Sequence, residues 1–265
     1  MKKLLLLSAL LIFACSDDDS SSDNIGSDYE NILPTRQSIT RSINGGEGEE
    51  LRIYDYYFAG NKHISTTRTT SGWYDGSTNN RTETYNLIYE GELVIRTIWI
   101  IDYTANGEID SEIEYEYEYD SNDRLIKITK ICPVDLDCSQ YIENYNYLNN
   151  GLTIQVTNVD NELKRLENYD NNLNLIDSIW YDENENISST YTWIYDDKNN
   201  WSKNAETFGR FGNLSPYVNA NNVIEQYYNN DLTYSWVFEY NQYDFPVSRE
   251  SNDGTRSYTY EYNID

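Results

Sequence analysis

The 265-residue sequence is short of the residues that most often carry chemistry or stiffen a chain: it has one histidine, three cysteines, four prolines and one methionine. A Ser/His/Asp or Cys/His constellation would have to use His63, and no nucleophile elbow accompanies it. No P-loop, dinucleotide fingerprint or zinc-protease motif is present, so no cofactor is expected. Basic residues are few, 19 Lys and Arg against 45 Asp and Glu, for a net charge of −26. That balance repels nucleic acid and anionic lipid surfaces and favours solubility outside the cell. Leu, Ile, Val and Phe are sparse, near the level of chains that do not fold. What stands in their place is 27 tyrosines and 6 tryptophans, which carry large apolar area behind a polar tip. A core built here is built largely from tyrosine.

Long apolar runs are missing too, save one. Leu4 to Phe13, interrupted only by Ser8, follows Lys2 and Lys3 and is too short for a membrane span of ~20 residues. Ile12-Phe13-Ala14-Cys15 resembles the lipobox of bacterial lipoproteins, which implies cleavage before Cys15 and acylation of its thiol. Several acyl chains, each burying CH₂ groups at ~0.8 kcal/mol, give stable anchoring. The following Ser16-Asp17-Asp18-Asp19-Ser20-Ser21-Ser22-Asp23 reads as a solvated tether. It resembles the acidic export signal of surface-exposed Bacteroidota lipoproteins. The expected organisation is a signal peptide over 1–14, an acidic tether over 15–30 and one β domain over 31–265. The expected address is the outer membrane, lipid-anchored and facing outward. Cys132 and Cys138 read as a disulfide in an exported protein, closing a small loop worth about 2 kcal/mol; a metal site is the weaker rival, because the single histidine leaves the zinc set incomplete.

The clearest pattern runs from Ile109 to Asp120, where Ile109, Ile113, Tyr115, Tyr117 and Tyr119 alternate with acids and only Ser111 breaks the apolar face. Period two predicts a strand with one buried and one wet face. Its acids need basic neighbours. With Ser121 to Arg124 as a turn and Leu125 to Ile131 as the return strand, Tyr119 faces Ile126, Tyr117 faces Ile128, and Glu118 faces Lys127. A tyrosine followed six positions on by an apolar residue, across polar turn residues, recurs at Tyr103/Ile109, Tyr119/Leu125, Tyr169/Leu175, Tyr181/Ile187, Tyr195/Trp201 and Tyr240/Pro246. Tyr147/Leu152 is one residue shorter. Such repetition predicts an all-β, antiparallel up-and-down meander of hairpins. A longer loop is expected over Asn213 to Asn222.

Tyr119-Asp120 with Arg124-Leu125 resembles the YD repeat of RHS-type shell proteins. Tyr240-Asn241-Gln242-Tyr243-Asp244-Phe245-Pro246 resembles the hairpin signature of Bacteroidota secreted proteins with RHS-like and porin-like folds. The resemblance spans roughly 92–265 and implies a long sheet that curls or closes into a soluble barrel; it supplies no catalytic residue. A membrane-embedded barrel would need an apolar outer band and would make the lipid anchor redundant.

Other candidates for chemistry have simpler readings. His63 is expected at the surface or in a cross-strand pair. Asp170-x-Asn172-x-Asn174 and Asp182-x-Asn184-x-Asn186 open like calcium loops but have Leu175 and Ile187 where glycine belongs, so Asx turns are expected. Trp73, Trp99, Trp180, Trp193, Trp201 and Trp236 are candidates for sugar stacking, although aromatics at period two mostly form core. The functional expectation is a non-enzymatic surface lipoprotein, held to the membrane by its lipid, that binds or supports an extracellular glycan or another envelope protein. The alternative is a carboxylate-dependent glycan hydrolase, which needs two acids within roughly 5–9.5 Å of each other.

Overall fold

The computed structural model describes residues 31–43, 48–74, 77–78, 80–104, 109–133, 141–205 and 219–264. Cys15, the tether and Cys138 lie outside the described residues, as does most of the expected 213–222 loop.

The chain forms one antiparallel sheet. Its first half contains β1 (Pro34–Ile43), β2 (Gly48–Ala59), β3 (Lys62–Tyr74), β4 (Ser77–Thr78), β5 (Arg81–Glu90), β6 (Leu93–Asp102), β7 (Ser111–Tyr119) and β8 (Leu125–Ile131). The second half contains β9 (Tyr141–Leu148), β10 (Thr153–Thr157), β11 (Leu163–Tyr169), β12 (Leu175–Tyr181), β13 (Ile187–Tyr195), β14 (Val223–Tyr228), β15 (Asp231–Tyr240), β16 (Pro246–Ser251) and β17 (Arg256–Tyr262). Each strand pairs with its sequence neighbour, β3 passes over the two-residue β4 to β5, and β1 pairs with β17. Without β4, sixteen strands close an up-and-down barrel, and closure leaves no free edge. Among the described residues helix is confined to short 3-10 turns such as Asn149–Gly151.

The alternation predicted for one strand holds around the ring. On β7, Tyr117 is 6 % exposed and Ile113 also faces inward, while Glu112 and Glu118 face out. Two of the outer acids are answered: Arg96 meets Glu114 at 3.3 Å and Lys127 meets Glu118 at 2.7 Å. Tyr117 opposes Ile128 and Glu118 opposes Lys127, as the sequence predicts, but Tyr119 opposes Leu125 rather than Ile126. A bulge at Ile126 absorbs the difference. Ile109 is another correction: it precedes β7 and is 65 % exposed, while Ser111, the apparent flaw in the apolar face, is buried at the start of the strand.

The bulge follows from a turn that is used five times. At Asp120, Asn158, Asp170, Asp182 and Asn241 the backbone N–H donates to the carbonyl four residues on. The side-chain Oδ1 accepts from the N–H groups two and four residues on. The residue three positions on has positive φ: Asp123, Asn161, Leu173, Glu185 and Asp244, at 58° to 65°. Leu173 and Glu185 pay a steric penalty there; the Asx hydrogen bonds hold them in place.

Two of the sequence's hairpin units are corrected. Asp196 N–H donates to Asn222 O, and Asn222 N–H donates to Asp196 Oδ1. The β13–β14 connection is thus the same turn with a long excursion inserted, and the return strand starts at Val223, not at Trp201. Trp201 instead packs inside, with ring centroids 5.5 Å from Tyr56 and 5.6 Å from Tyr260. Tyr103 is the second correction: it is exposed beyond the end of β6, where Asp102 and Asp110 supply the side-chain bonds instead.

The end of the barrel that holds the β7–β8 and β15–β16 turns, here the lower end, carries buried clusters. Val94, Leu125 and Tyr169 belong to one cluster, which climbs the wall through Ile154 and Val156 to meet Glu167 and Arg165, and Ile32, Phe245, Tyr260 and Tyr262 form another. Tyrosine can fill this core because most of its hydroxyls there are paired, that of Tyr260 being an exception. Tyr89, Tyr119, Tyr147, Tyr195 and Tyr262 donate to the carbonyls of His63, Val94, Leu125, Leu175 and Pro246, at 2.5 to 2.8 Å. Each acceptor lies at the start of the adjoining strand that rises from the lower end. His63 is also here, fully buried against Phe58 and opposite it across the β2–β3 pair. The surface placement considered for it is therefore corrected; the cross-strand one is what the register gives. Burial lowers its pKa to about 4, and its Nε2 lies 2.7 Å from Thr66 Oγ1.

Candidate binding site in the upper lumen

Toward the opposite, upper end the inward positions change character. Strand register and alternation place Arg41, Arg52, Arg68, Arg81, Lys130, Arg165, Arg249 and Arg256 on the inner face, against Glu50, Glu83, Glu143 and Glu167. Cations therefore outnumber carboxylates on the inner wall of a chain whose net charge is −26.

Two ion clusters organise this wall. Glu83 is buried, hydrogen-bonded by Arg68 and by the Tyr85 hydroxyl and Trp99 Nε1, both at 3.0 Å, and ion-paired with Arg81 at 2.8 Å. Tyr85 and Trp99 stack at 5.5 Å. Arg165 is only 2 % exposed; it bonds Glu143 through both terminal nitrogens and Glu167 through Nε at 2.6 Å. The hydroxyls of Tyr145 and Tyr169 donate to Glu143 and Glu167 at 2.8 and 2.7 Å. Burial works against the charge of Arg68 and of Arg165, and the bonds to their carboxylates override it, raising both pKa values. Such networks are costly to desolvate and costly to break.

Aromatic faces line the same end. Trp180 is 37 % exposed over the Arg165 guanidinium, at 5.2 Å. Tyr191 contacts Trp193 and Tyr228 at 6.0 and 5.2 Å, and Tyr228 is itself exposed. The predicted aromatic candidates thus divide. Trp99 and Trp201 pack among other rings, Trp180, Trp193 and Trp236 face the upper lumen half-exposed, and the Trp73 side chain lies outside the described residues. Cys132 is buried just past the end of β8. Asp170 and Asp182 spend an oxygen on backbone N–H groups as turn residues. The inward arginines were not singled out by the sequence reading. The signal was there, since they sit in the apolar phase of their strands, as Arg165 does beside Glu167 and Tyr169.

The outer wall differs in kind. Ser38 and Thr40 on β1, Thr67 and Thr69 on β3, the glutamates of β7, and Thr259 and Glu261 on β17 face outward. Exposed Ile64, Ile194 and Val237 are isolated among them. The outward positions of the described residues form no continuous apolar band of the kind a membrane-spanning barrel presents to lipid.

No protein-family model matches the sequence, and no curated protein matches it either. Among solved structures the fold is similar to that of a porin-like protein from Bacteroides uniformis, with a TM-score of 0.55 at 11 % identity, covering 87 % of this chain and 96 % of that one. A DUF1329 family protein from Desulfovibrio piger aligns over 88 % of this chain and 82 % of its own at 8 % identity, but its TM-score of 0.23 carries no weight. The first likeness concerns the fold alone: the chain shares the closed antiparallel barrel of a porin-like protein.

Proposed function

We propose that this protein is a lipid-anchored envelope protein, held outward on the outer membrane through Cys15, that binds a ligand in its upper lumen without catalysis. One observation carries the reading: the outward strand positions are polar and form no apolar band, while aromatic and aliphatic side chains fill much of the lumen and leave arginines and half-exposed rings at its upper end. Such a barrel belongs in water, and the lipobox-like leader and acidic tether supply the attachment that its wall lacks. The degenerate YD-like turns build the scaffold. Cys132 and Cys138 pair as a structural disulfide. The partner is an extracellular glycan or an envelope protein, and the half-exposed Trp180 offers a stacking face.

The rival hydrolase is disfavoured by the state of its best acids. Glu143 and Glu167 converge, but both are engaged by Arg165 and by a tyrosine hydroxyl rather than open to a substrate.

Metabolic acyl labelling of wild type and Cys15→Ala, followed by protease shaving of intact cells, tests the address. Label in wild type only, with cleavage by protease, is expected; unlabelled wild type overturns the anchor, and protection from protease overturns outward display. Glycan-array binding that is lost in Trp180→Ala is expected for the binding role, and turnover of a bound glycan would overturn its non-enzymatic nature.

A further inference from the structure

Three inward arginines stand apart from the ion-paired ones. Arg41 on β1, Arg249 on β16 and Arg256 on β17 occupy three consecutive strands of the ring. Arg256 is directly opposite Arg41, and Arg249 is directly opposite Tyr258. Arg68, Arg81 and Arg165 each hold a buried carboxylate. No ion pair joins Arg41, Arg249 or Arg256 to a carboxylate of the described residues. Glu50, across the β1–β2 pair from Arg41, is taken by Arg52 at 2.6 Å. Asp253, on the same hairpin as Arg256, accepts from Ser251 and Thr255.

Like charges directly opposite on neighbouring strands repel. Aromatic rings hold these guanidinium groups in place and leave their charge intact. Arg249 lies 4.5 Å from the Trp236 centroid and 3.8 Å from that of Tyr258, and its Nε is buried with no hydrogen-bond partner. Arg256 lies 4.5 Å from the Tyr234 ring and donates to its hydroxyl at 2.9 Å. Arg41 is exposed and the other two are half-buried, so solute reaches the wall. Asp253 feels the charge of Arg256, but no ion pair among the described residues closes on it; here the barrel keeps positive charge, pre-oriented and accessible, inside an acidic molecule.

We propose that this wall binds a small organic anion carrying two or more carboxylates, either a free polycarboxylic acid or the acidic sugar units of a glycan. The guanidinium fork accepts a carboxylate in bidentate fashion. Neighbouring strands are ~4.8 Å apart, so Arg41 and Arg256 suit carboxylates separated by that order of distance. Screening over ~8 Å at physiological salt keeps the acidic outer wall from closing the lumen to either source. This inference rests on the binding reading above and narrows it to one wall and one ligand chemistry.

Calorimetric titration of the full chain with citrate, with digalacturonate and with neutral digalactose tests it. Binding of at least one anion but not of the neutral sugar is expected, weakening as salt is raised. Whichever anion binds tighter identifies the source. Arg41→Gln with Arg256→Gln, near the rim where folding is least at risk, should weaken binding at least tenfold at an unchanged melting temperature. Arg249→Gln should do the same. No anion binding, equal binding of the neutral sugar, or undiminished binding by the double variant overturns the proposal. Glycan-array binding that survives in the double variant would sink this inference and leave the broader binding role standing.

Discussion

The two ends of one barrel are built from the same strands yet held together by different physics. At the lower end, inward tyrosines pack with Val94, Leu125 and Ile154, and send their hydroxyls to backbone carbonyls. At the upper end, the inward positions of the same strands carry arginine, glutamate and half-exposed rings. On β11 the change takes three inward residues, from Tyr169 through Glu167 to Arg165. Alternation decides which face a residue occupies, and position along the strand decides whether that face is core or site. The lower end fixes the shape, and the upper end can therefore keep charge that a core would not tolerate.

The comparison breaks most readily at Arg165. Arg165→Met leaves Glu143 and Glu167 buried without their cation and should cost roughly 3–5 kcal/mol in urea unfolding. Adding Glu143→Gln and Glu167→Gln should restore most of it; a small loss in the single variant would mean that the network is not a structural unit of the upper end.

At the lower end the counterpart is His63. Its folded pKa of about 4 lies below the usual 6.5, so between those values the unfolded chain binds more protons than the native one. The contribution is complete above pH 6.5 and falls by up to roughly 3 kcal/mol as pH drops toward 4. Chemical denaturation across that range should show the slope, and His63→Gln should flatten it. Below that window a second loss is expected as pH falls under the usual carboxylate value, because hydrogen bonds from Ser251 and Thr255 hold Asp253 at about 2.

Smaller effects sharpen the contrast. Tyr262→Phe removes the hydroxyl that donates to Pro246 O and should cost about 1 kcal/mol. Breaking the exposed Lys127–Glu118 pair on the outer wall with Lys127→Ala should cost about 0.5 kcal/mol or less, and raising salt should shrink even that. A larger loss at Lys127 than at Tyr262 would contradict the view that stability resides inside the barrel.

Much of the scaffold is legible in the residues. Period two on β7 gave the strand and its two faces, and Tyr117/Ile128 and Glu118/Lys127 gave the register. The Tyr-Asx spacing located most of the turns because an Asx side chain closes its turn with residues two and four places on, a purely local bond. Where the chain departs from local rules, neighbouring residues mislead. Tyr195-Asp196 looked like another short hairpin, but Asp196 closes its turn with Asn222, and Trp201 is drawn under the ring to Tyr56 and Tyr260. His63 was legible as a surface or cross-strand residue, but its full burial was not, because nothing in the local pattern says that Phe58 covers it.

The candidate site was less legible. Arginines in the inward phase of β1, β2, β3, β5, β11, β16 and β17 look like isolated exceptions to alternation when read one strand at a time. The sequence by itself determined the strand period, the turn chemistry, the acidic balance and the tyrosine-based core, because each depends on neighbours within a few residues. Only the tertiary structure decided that the sheet closes, that β17 meets β1, and that Arg256 therefore stands opposite Arg41. Closure pairs residues from the two ends of the described chain, and it alone turns scattered inward arginines into a single wall.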